Sequence, residues 1–264
     1  MNKIITLLDG TEYLYKDLKK KLDDDEFYYG ELGKNALSSS SIKLLVDSPK
    51  KYYYVTNYAS LETQGLRDGR LLHQIILEPE KFEKNNWVDV ASKNSKAYKE
   101  AVKEHGVAYT KKEREDAERL ADALLKNEKA RNLLKDATYE VGEIGYINDY
   151  PFRGKADILK NSGSIVDIKT TTDIGQDGKG FIYSANKYGY DIQCYIYCQL
   201  FGVNYYDFSY LILDKSSLDI GVAEVSKEFY ERGKKKTELG IKRFQEWFEK
   251  DEVDLHDYFI KILL

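Results

Sequence analysis

Hydrophobic and polar positions change period several times along this chain. Three consecutive runs, at 139–147, 152–159 and 165–169, alternate in twos or stay apolar, which predicts strands. Two more, at 206–213 and 220–225, predict a hairpin across 214–218. Helical spacing governs most of the rest. Ser38-Ser39-Ser40-Ser41 precedes Ile42-Lys43-Leu44-Leu45-Val46, an N-cap signature before a helix that stops ahead of Pro49. Further helices are expected at about 50–58 and 66–77, and two or three charged ones over 95–135, where Thr110-Lys111-Lys112-Glu113 is a capping box. Another is expected at 190–201, then a long amphipathic one at 227–249. Residues 175–180 read as a glycine-rich loop, and the first 35 as an irregular or mixed arm.

Helices, three strands, a helix, two strands and a helix, in that order, predict an α/β fold: a single domain with a mixed central β-sheet flanked by helices. Without repeats or a proline- or serine-rich linker, the whole of 1–264 is expected to form that domain. It divides into the arm (1–35), a core (about 36–225) and C-terminal helices (about 226–264).

Composition narrows this little. Apolar residues at 42% and charged ones at 33% are ordinary globular material. No apolar run is long enough to span a membrane, and Met1-Asn2-Lys3-Ile4-Ile5-Thr6 is too short for a secretory signal, so a cytoplasmic protein is expected. The formal net charge of -4 argues against a non-specific nucleic-acid coat, though not against an enzyme with a local basic channel. Cys194 and Cys198 lie four apart in a helical pattern; two thiols alone complete no zinc or iron–sulfur site, so they read as buried free thiols.

The chemistry concentrates between residues 150 and 197. Phe152-Arg153-Gly154-Lys155-Ala156-Asp157 is a strand with a polar end, and Ile165-Val166-Asp167-Ile168-Lys169-Thr170-Thr171 a second one. Alternation places Asp167 and Lys169 on one face of it. A hairpin brings Asp157 toward Asp167, and two facing carboxylates are costly unless a cation lies between them. A neighbouring lysine stabilises charge on an attacking water or a phosphate oxygen, the chemistry of metal-assisted phosphodiester hydrolysis. Alone, an Asp-x-Lys triplet is common on exposed strands, and a Gly-Lys-Ala-Asp turn can be capped by its own aspartate. His73, beside Leu72 and Ile76 on a helix, reads by itself as a satisfied core or boundary histidine more readily than as a ligand. Glu143 is preferred over Glu140 as the acid of the preceding strand, because Val141, Glu143, Gly145 and Ile147 share one face under strict alternation.

As an ordered set these residues resemble the PD-(D/E)XK nuclease superfamily. The best match is the branch of RecE (exonuclease VIII), with lambda exonuclease and the RecB nuclease domain more distant. The resemblance covers roughly 36–214 and rests on Ser38–Leu44 through Ser48-Pro49, Gly69-Arg70-Leu71-Leu72-His73, His73–Pro79, Glu143, Gly154-Lys155-Ala156-Asp157, Ile165-Val166-Asp167-Ile168-Lys169-Thr170-Thr171 and Gln193-Cys194-Tyr195-Ile196-Tyr197. The second acid is Asp167 where the wider superfamily more often has glutamate, a departure shared with the RecE-like group.

The resemblance implies one or two divalent ions, Mg²⁺ with Mn²⁺ able to substitute, held by His73, Asp157, Asp167 and the backbone carbonyl of Ile168. Lys169 would orient or deprotonate the water, Glu143 bind a second metal, Gln193 help hold the water or phosphate, and Tyr197 contact substrate. Ser39, Ser40 and Lys43 remain open between phosphate contacts and plain helix capping. It further implies digestion of linear duplex DNA, 5′→3′, to 5′-mononucleotides, leaving a 3′ strand for a RecT-like single-strand annealing protein, by a trimeric or tetrameric ring. Two other readings stand beside it: a structure-specific or restriction-type endonuclease, and a catalytically inactive DNA-binding module.

Overall fold

The computed structural model describes residues 3–58, 62–249 and 252–261. In chain order, a small hairpin β1 (Ile4–Thr6) and β2 (Glu12–Leu14) leads into helix α1 (Tyr15–Lys21), a π turn (Phe27–Glu31) and α2 (Leu32–Asn35). Helices α3 (Ser39–Asp47), α4 (Pro49–Asn57), α5 (Gln64–Leu77) and α6 (Pro79–Glu83) follow. Two-residue strands β3 (Trp87–Val88) and β4 (Tyr109–Thr110) pair around α7 (Lys96–His105) and precede α8 (Lys111–Lys126) and α9 (Glu128–Leu134). Then come β5 (Ala137–Ile147), β6 (Tyr150–Lys160), β7 (Ile165–Thr171), α10 (Lys179–Lys187), α11 (Tyr190–Phe201), β8 (Phe208–Asp214), β9 (Ile220–Glu224) and α12 (Lys227–Phe248).

The five long strands form one sheet in the order β5-β6-β7-β8-β9. Neighbours are antiparallel except β7 and β8, whose parallel pairing needs a crossover, supplied by α10 and α11. The sheet is therefore mixed, with helices on both faces, as the element order predicts. One face buries Phe152, Ala156, Ile165, Phe208, Tyr210 and Ile212 among α3, α11 and α12. The other buries Ile158, Val166, Ile168, Leu211 and Leu213 under Leu72 of α5 and Leu120 and Leu124 of α8. Each fully buried apolar side chain of this kind contributes about 1.5–3 kcal/mol.

Ala156 and Ile158 are two residues apart yet pack on opposite faces, so the pleat is interrupted at Asp157. Across the ladder the interruption is matched. Tyr139 pairs with Ile158 and Val141 with Ala156, while Glu140 between them has φ of 49°. A non-glycine residue in the left-handed region is strained, and such strain concentrates at functional sites.

The structure refines one expectation and corrects another. The first 35 residues are mixed in structure, short strands and helices together, and Ile5, Leu7, Leu18, Leu22, Tyr28 and Leu32 among them build a core of their own against Ile144 of β5. Beyond α12, the described residues 252–261 contain no helix, so among the described residues the C-terminal part holds one helix where several were expected. Both cysteines are free and buried in α11.

Candidate active site

The β5–β6 hairpin turns at Asn148-Asp149, both with positive φ (48° and 66°), and its first rung pairs Ile147 with Tyr150. That two-residue turn sets the register, placing position 140 opposite Asp157 and pairing Glu143 with Gly154. Glu140, not Glu143, is thus the β5 acid that joins His73 and Asp157: one ligand atom from each of these three lies within 4.8 Å of the others. Glu143 faces the N-terminal unit, where its carboxylate pairs with Lys19 at 2.7 Å and accepts from the Tyr15 hydroxyl at 2.8 Å. The face argument that favoured Glu143 assumed unbroken alternation, and Glu140 is where it breaks.

Helix α5 delivers His73. Its Nε2 lies 3.0 Å from the Ile168 carbonyl oxygen and 3.5 Å from Asp157 Oδ2, with Nδ1 3.8 Å from Glu140. The Ile168 backbone N–H donates to Asp157 Oδ2 at 2.7 Å, tying the two acidic strands together. His73, Asp157 and the Ile168 carbonyl therefore lie together. Asp167 sits one strand over, fully buried, and accepts from Gln193 Nε2 of α11 at 2.6 Å. Its other oxygen lies against the Lys169 ammonium as an ion pair, yet receives no hydrogen bond of ordinary geometry.

The electrostatics of this cluster are those of buried carboxylates that repel one another. Burial and then Asp167 push the Asp157 carboxyl up to about 7. Burial opposes charge on His73, but Asp157 and Glu140 outweigh it and lift the imidazole to about 9. Lys169 is likewise held above its ordinary value by Asp167 and Asp157 against the cost of burial. Glu140, Asp157 and Asp167 crowd about His73 and Lys169, with one buried carboxylate oxygen of Asp167 incompletely satisfied. Carboxylates, an imidazole nitrogen and a backbone carbonyl form a donor set suited to Mg²⁺ or Mn²⁺, with nitrogen ligation favouring Mn²⁺. The residues present fit a divalent ion.

The helix behind the sheet approaches closely because β6 has no side chain there. A Cβ on Gly154 would stand 2.9 Å from the Tyr197 ring and 3.1 Å from Leu200. Tyr197 is buried among Gln193, Asp157 and Asp167, and burial raises its phenol well above the usual value. Lys43 lies near Lys169 and Asp167, and burial together with the Lys169 charge pushes its ammonium down to about 8. Ser39 is buried and Ser40 exposed in the first turn of α3; the capping box is made by Ser38 and Ser41 instead.

Two residues at the site went unread in the sequence. Tyr190 lays its ring 5.0 Å from the Lys169 ammonium and 5.5 Å from that of Lys43. Asp191, fully buried, is held by Arg232 Nε at 2.6 Å and Lys236 Nζ at 2.7 Å, which lock α11 to α12. No local motif marks Asp191, because its partners are more than forty positions away. Glu140 did carry a signal: counting back from the Asn148-Asp149 turn places it opposite Asp157.

Two acids and a lysine on adjacent strands of a mixed sheet, a helix-borne histidine across from them and a glutamine behind define a nuclease-type α/β core. The sequence carries the same assignment. Residues 38–254 match the family described as a PDDEXK-like domain of unknown function (DUF3799), and the chain belongs to that family. Comparison with curated protein sequences gives no match. Among solved structures, a candidate exonuclease from Eubacterium rectale shares the fold with a TM-score of 0.63 at 16% identity, over 91% of this chain and 95% of that one. A phage-related exonuclease from Haemophilus somnus 129PT is more distant, with a TM-score of 0.35 at 16% identity over 80% and 94% of the two chains.

Proposed function

We propose that the protein is a divalent-metal-dependent exodeoxyribonuclease that digests linear duplex DNA from its ends. Family membership supports a nuclease. The observation that carries the metal-dependent reading is the convergence of His73, Asp157 and the Ile168 carbonyl beside the Asp167–Lys169 pair. His73, Glu140, Asp157 and the Ile168 carbonyl would hold the ion, with Asp167 alongside. The ion would supply a water nucleophilic near neutral pH and positive charge for a phosphate oxygen.

The chain's own residues do the rest. Lys169, kept charged by its two aspartates, faces the position where negative charge grows during attack and stabilises it there. Gln193 donates to Asp167 and fixes that carboxylate against the lysine. Burial of the whole cluster strengthens each of these interactions over its value in water. Glu143 takes a structural part instead, bonded into the N-terminal unit.

Mg²⁺ is the expected physiological ion, 5′→3′ the expected polarity, and a 3′ strand passed to a single-strand annealing protein the expected product. A protomer with net charge -4 has little long-range attraction for a polyanion. A closed trimer or tetramer around the duplex would replace that attraction with topological retention. No helix among the described residues is long and apolar enough to cross a membrane.

End-labelled linear duplexes and covalently closed circles, incubated with Mg²⁺ or Mn²⁺, test the reading. Linear DNA should shorten from its ends, closed circles should survive, and Lys169→Ala should abolish cutting without unfolding the protein. Cutting of closed circles at a comparable rate would assign an endonuclease, and inertness toward every duplex an inactive module.

A further inference from the structure

Helix α10 and the turn after it carry exposed aromatic and apolar side chains that neither the fold nor the catalytic cluster uses. Ile182, Tyr183 and Tyr188 are 58%, 67% and 52% exposed. Scattered surface apolar residues need no explanation, but these are joined by charge and by direction. The Lys187 ammonium lies 6.0 Å from the Tyr183 ring and 5.5 Å from the Tyr188 ring, bridging the two. Helix α10 carries two lysines, Lys179 and Lys187, and no acid, so its free face is cationic in a chain that is acidic overall.

The row does not stop at the surface. Tyr188 meets Tyr190 with ring centroids 6.2 Å apart and planes inclined by 31°. Tyr190 in turn lies against Lys169 and Lys43. The turn that brings the two tyrosines together needs Gly189, whose φ is 63° and where a Cβ would meet the Lys43 side chain at 3.2 Å. One exposed ring, one half-buried ring and the lysine of the candidate catalytic pair thus follow one another from solvent into the site.

We propose that Tyr188, with Tyr183 and Lys187, forms a stacking platform for nucleobases of the strand whose phosphodiester enters the cluster. This rests on the nuclease reading given above. A flat aromatic face beside lysines suits an unpaired strand: every base offers a π face to stack, and the ammonium groups meet the backbone phosphates. A paired duplex keeps its base faces covered by neighbouring bases, so the platform selects nucleotides already unstacked. It would hold an end open at the point of cutting.

The test measures binding of a short single-stranded oligothymidylate, with Ca²⁺ replacing Mg²⁺, beside an abasic sugar–phosphate strand of equal length. Tyr188→Ala should weaken oligothymidylate binding roughly 5- to 150-fold, the range found when one base–aromatic stack is removed. Tyr188→Phe should bind as the parent does, and the abasic strand should bind parent and Tyr188→Ala alike. Because the ring is exposed, the alanine variant should keep its melting temperature, which verifies the fold independently. Unchanged oligothymidylate binding by Tyr188→Ala would overturn the proposal. So would an equal loss for the abasic strand, which would assign a phosphate or structural role. A change of oligomeric state with unaltered DNA affinity would assign the face to contact between copies. Failure of the parent protein to cut any DNA would sink the nuclease reading instead, and the binding comparison would still be read.

Discussion

Gly233→Ala offers a direct test of how the site is held, because two physical effects predict opposite signs. Gly233 lies inside α12, where alanine is intrinsically more favourable by about 1 kcal/mol. A Cβ there would stand 1.9 Å from the Asp191 carbonyl oxygen and 2.5 Å from its carbon. Ordinary contact requires about 3.4 Å, so α12 must retreat from α11 by roughly 1.5 Å, well beyond what a packed interior absorbs freely. That displacement stretches the Arg232 and Lys236 bonds to Asp191, now 2.6 and 2.7 Å long, and leaves a fully buried carboxylate poorly paired. Breaking a buried pair costs about 3–5 kcal/mol. The partial exposure of both cations and the gain in propensity reduce this to a net loss of about 3 kcal/mol. For a chain of this size that corresponds to a melting temperature lower by roughly 6–12 °C. Gly69→Ala in α5 is the comparator. Nothing lies within 4 Å of its added Cβ, so propensity acts alone and the variant should gain about 0.5–1 kcal/mol. Thermal unfolding of both variants without metal reads the difference. Since α11 also carries Gln193, Gly233→Ala should slow hydrolysis as well. If the two substitutions raised the melting temperature alike, the close approach of α12 to α11 would be refuted.

Three further outcomes separate the roles assigned above. Titration calorimetry with Mn²⁺ should show affinity falling at least about tenfold for Glu140→Gln, as loss of one charged ligand implies, and little changed for Glu143→Gln. The reverse pattern would restore Glu143 to the site. His73→Ala should lose activity in Mg²⁺ and regain part of it as Mn²⁺ is raised; unchanged metal dependence would return His73 to a packing role. Glu113, buried against Arg67 at 2.7 Å, has its carboxyl lowered to about 2: burial works against the charge, but Arg67 and the Thr110 N–H outweigh it. A depressed carboxyl stabilises the fold above its unfolded pKa near 4.5 and loses that contribution as pH falls toward 2, about 3 kcal/mol in all. Stability of the parent should fall steeply across that window, and Glu113→Gln should flatten the fall; equal slopes would remove Glu113 as its source.

The sequence by itself determined most of the elements and the identity of the central chemistry. Period-two runs gave the five long strands, capping serines and threonines gave the starts of α3 and α8, and Asp157, Asp167 and Lys169 stood out by type and spacing. These are local signals, in which each residue's neighbours along the chain decide its conformation. The N-terminal unit was illegible for the opposite reason. Its short strands and π turn gain stability only by packing Leu18, Leu22 and Tyr28 together against Ile144, a contact across more than a hundred positions. Glu140 was lost because strict alternation was carried through a residue with φ of 49°, a strain that only the surrounding sheet can impose. Asp191, Gly233 and the Tyr188–Tyr190 row needed the tertiary structure for the same reason: each acts through a partner on another element. The chain names which residues can do chemistry, whereas the distances that bring them into one cluster exist only after the sheet and its helices have closed.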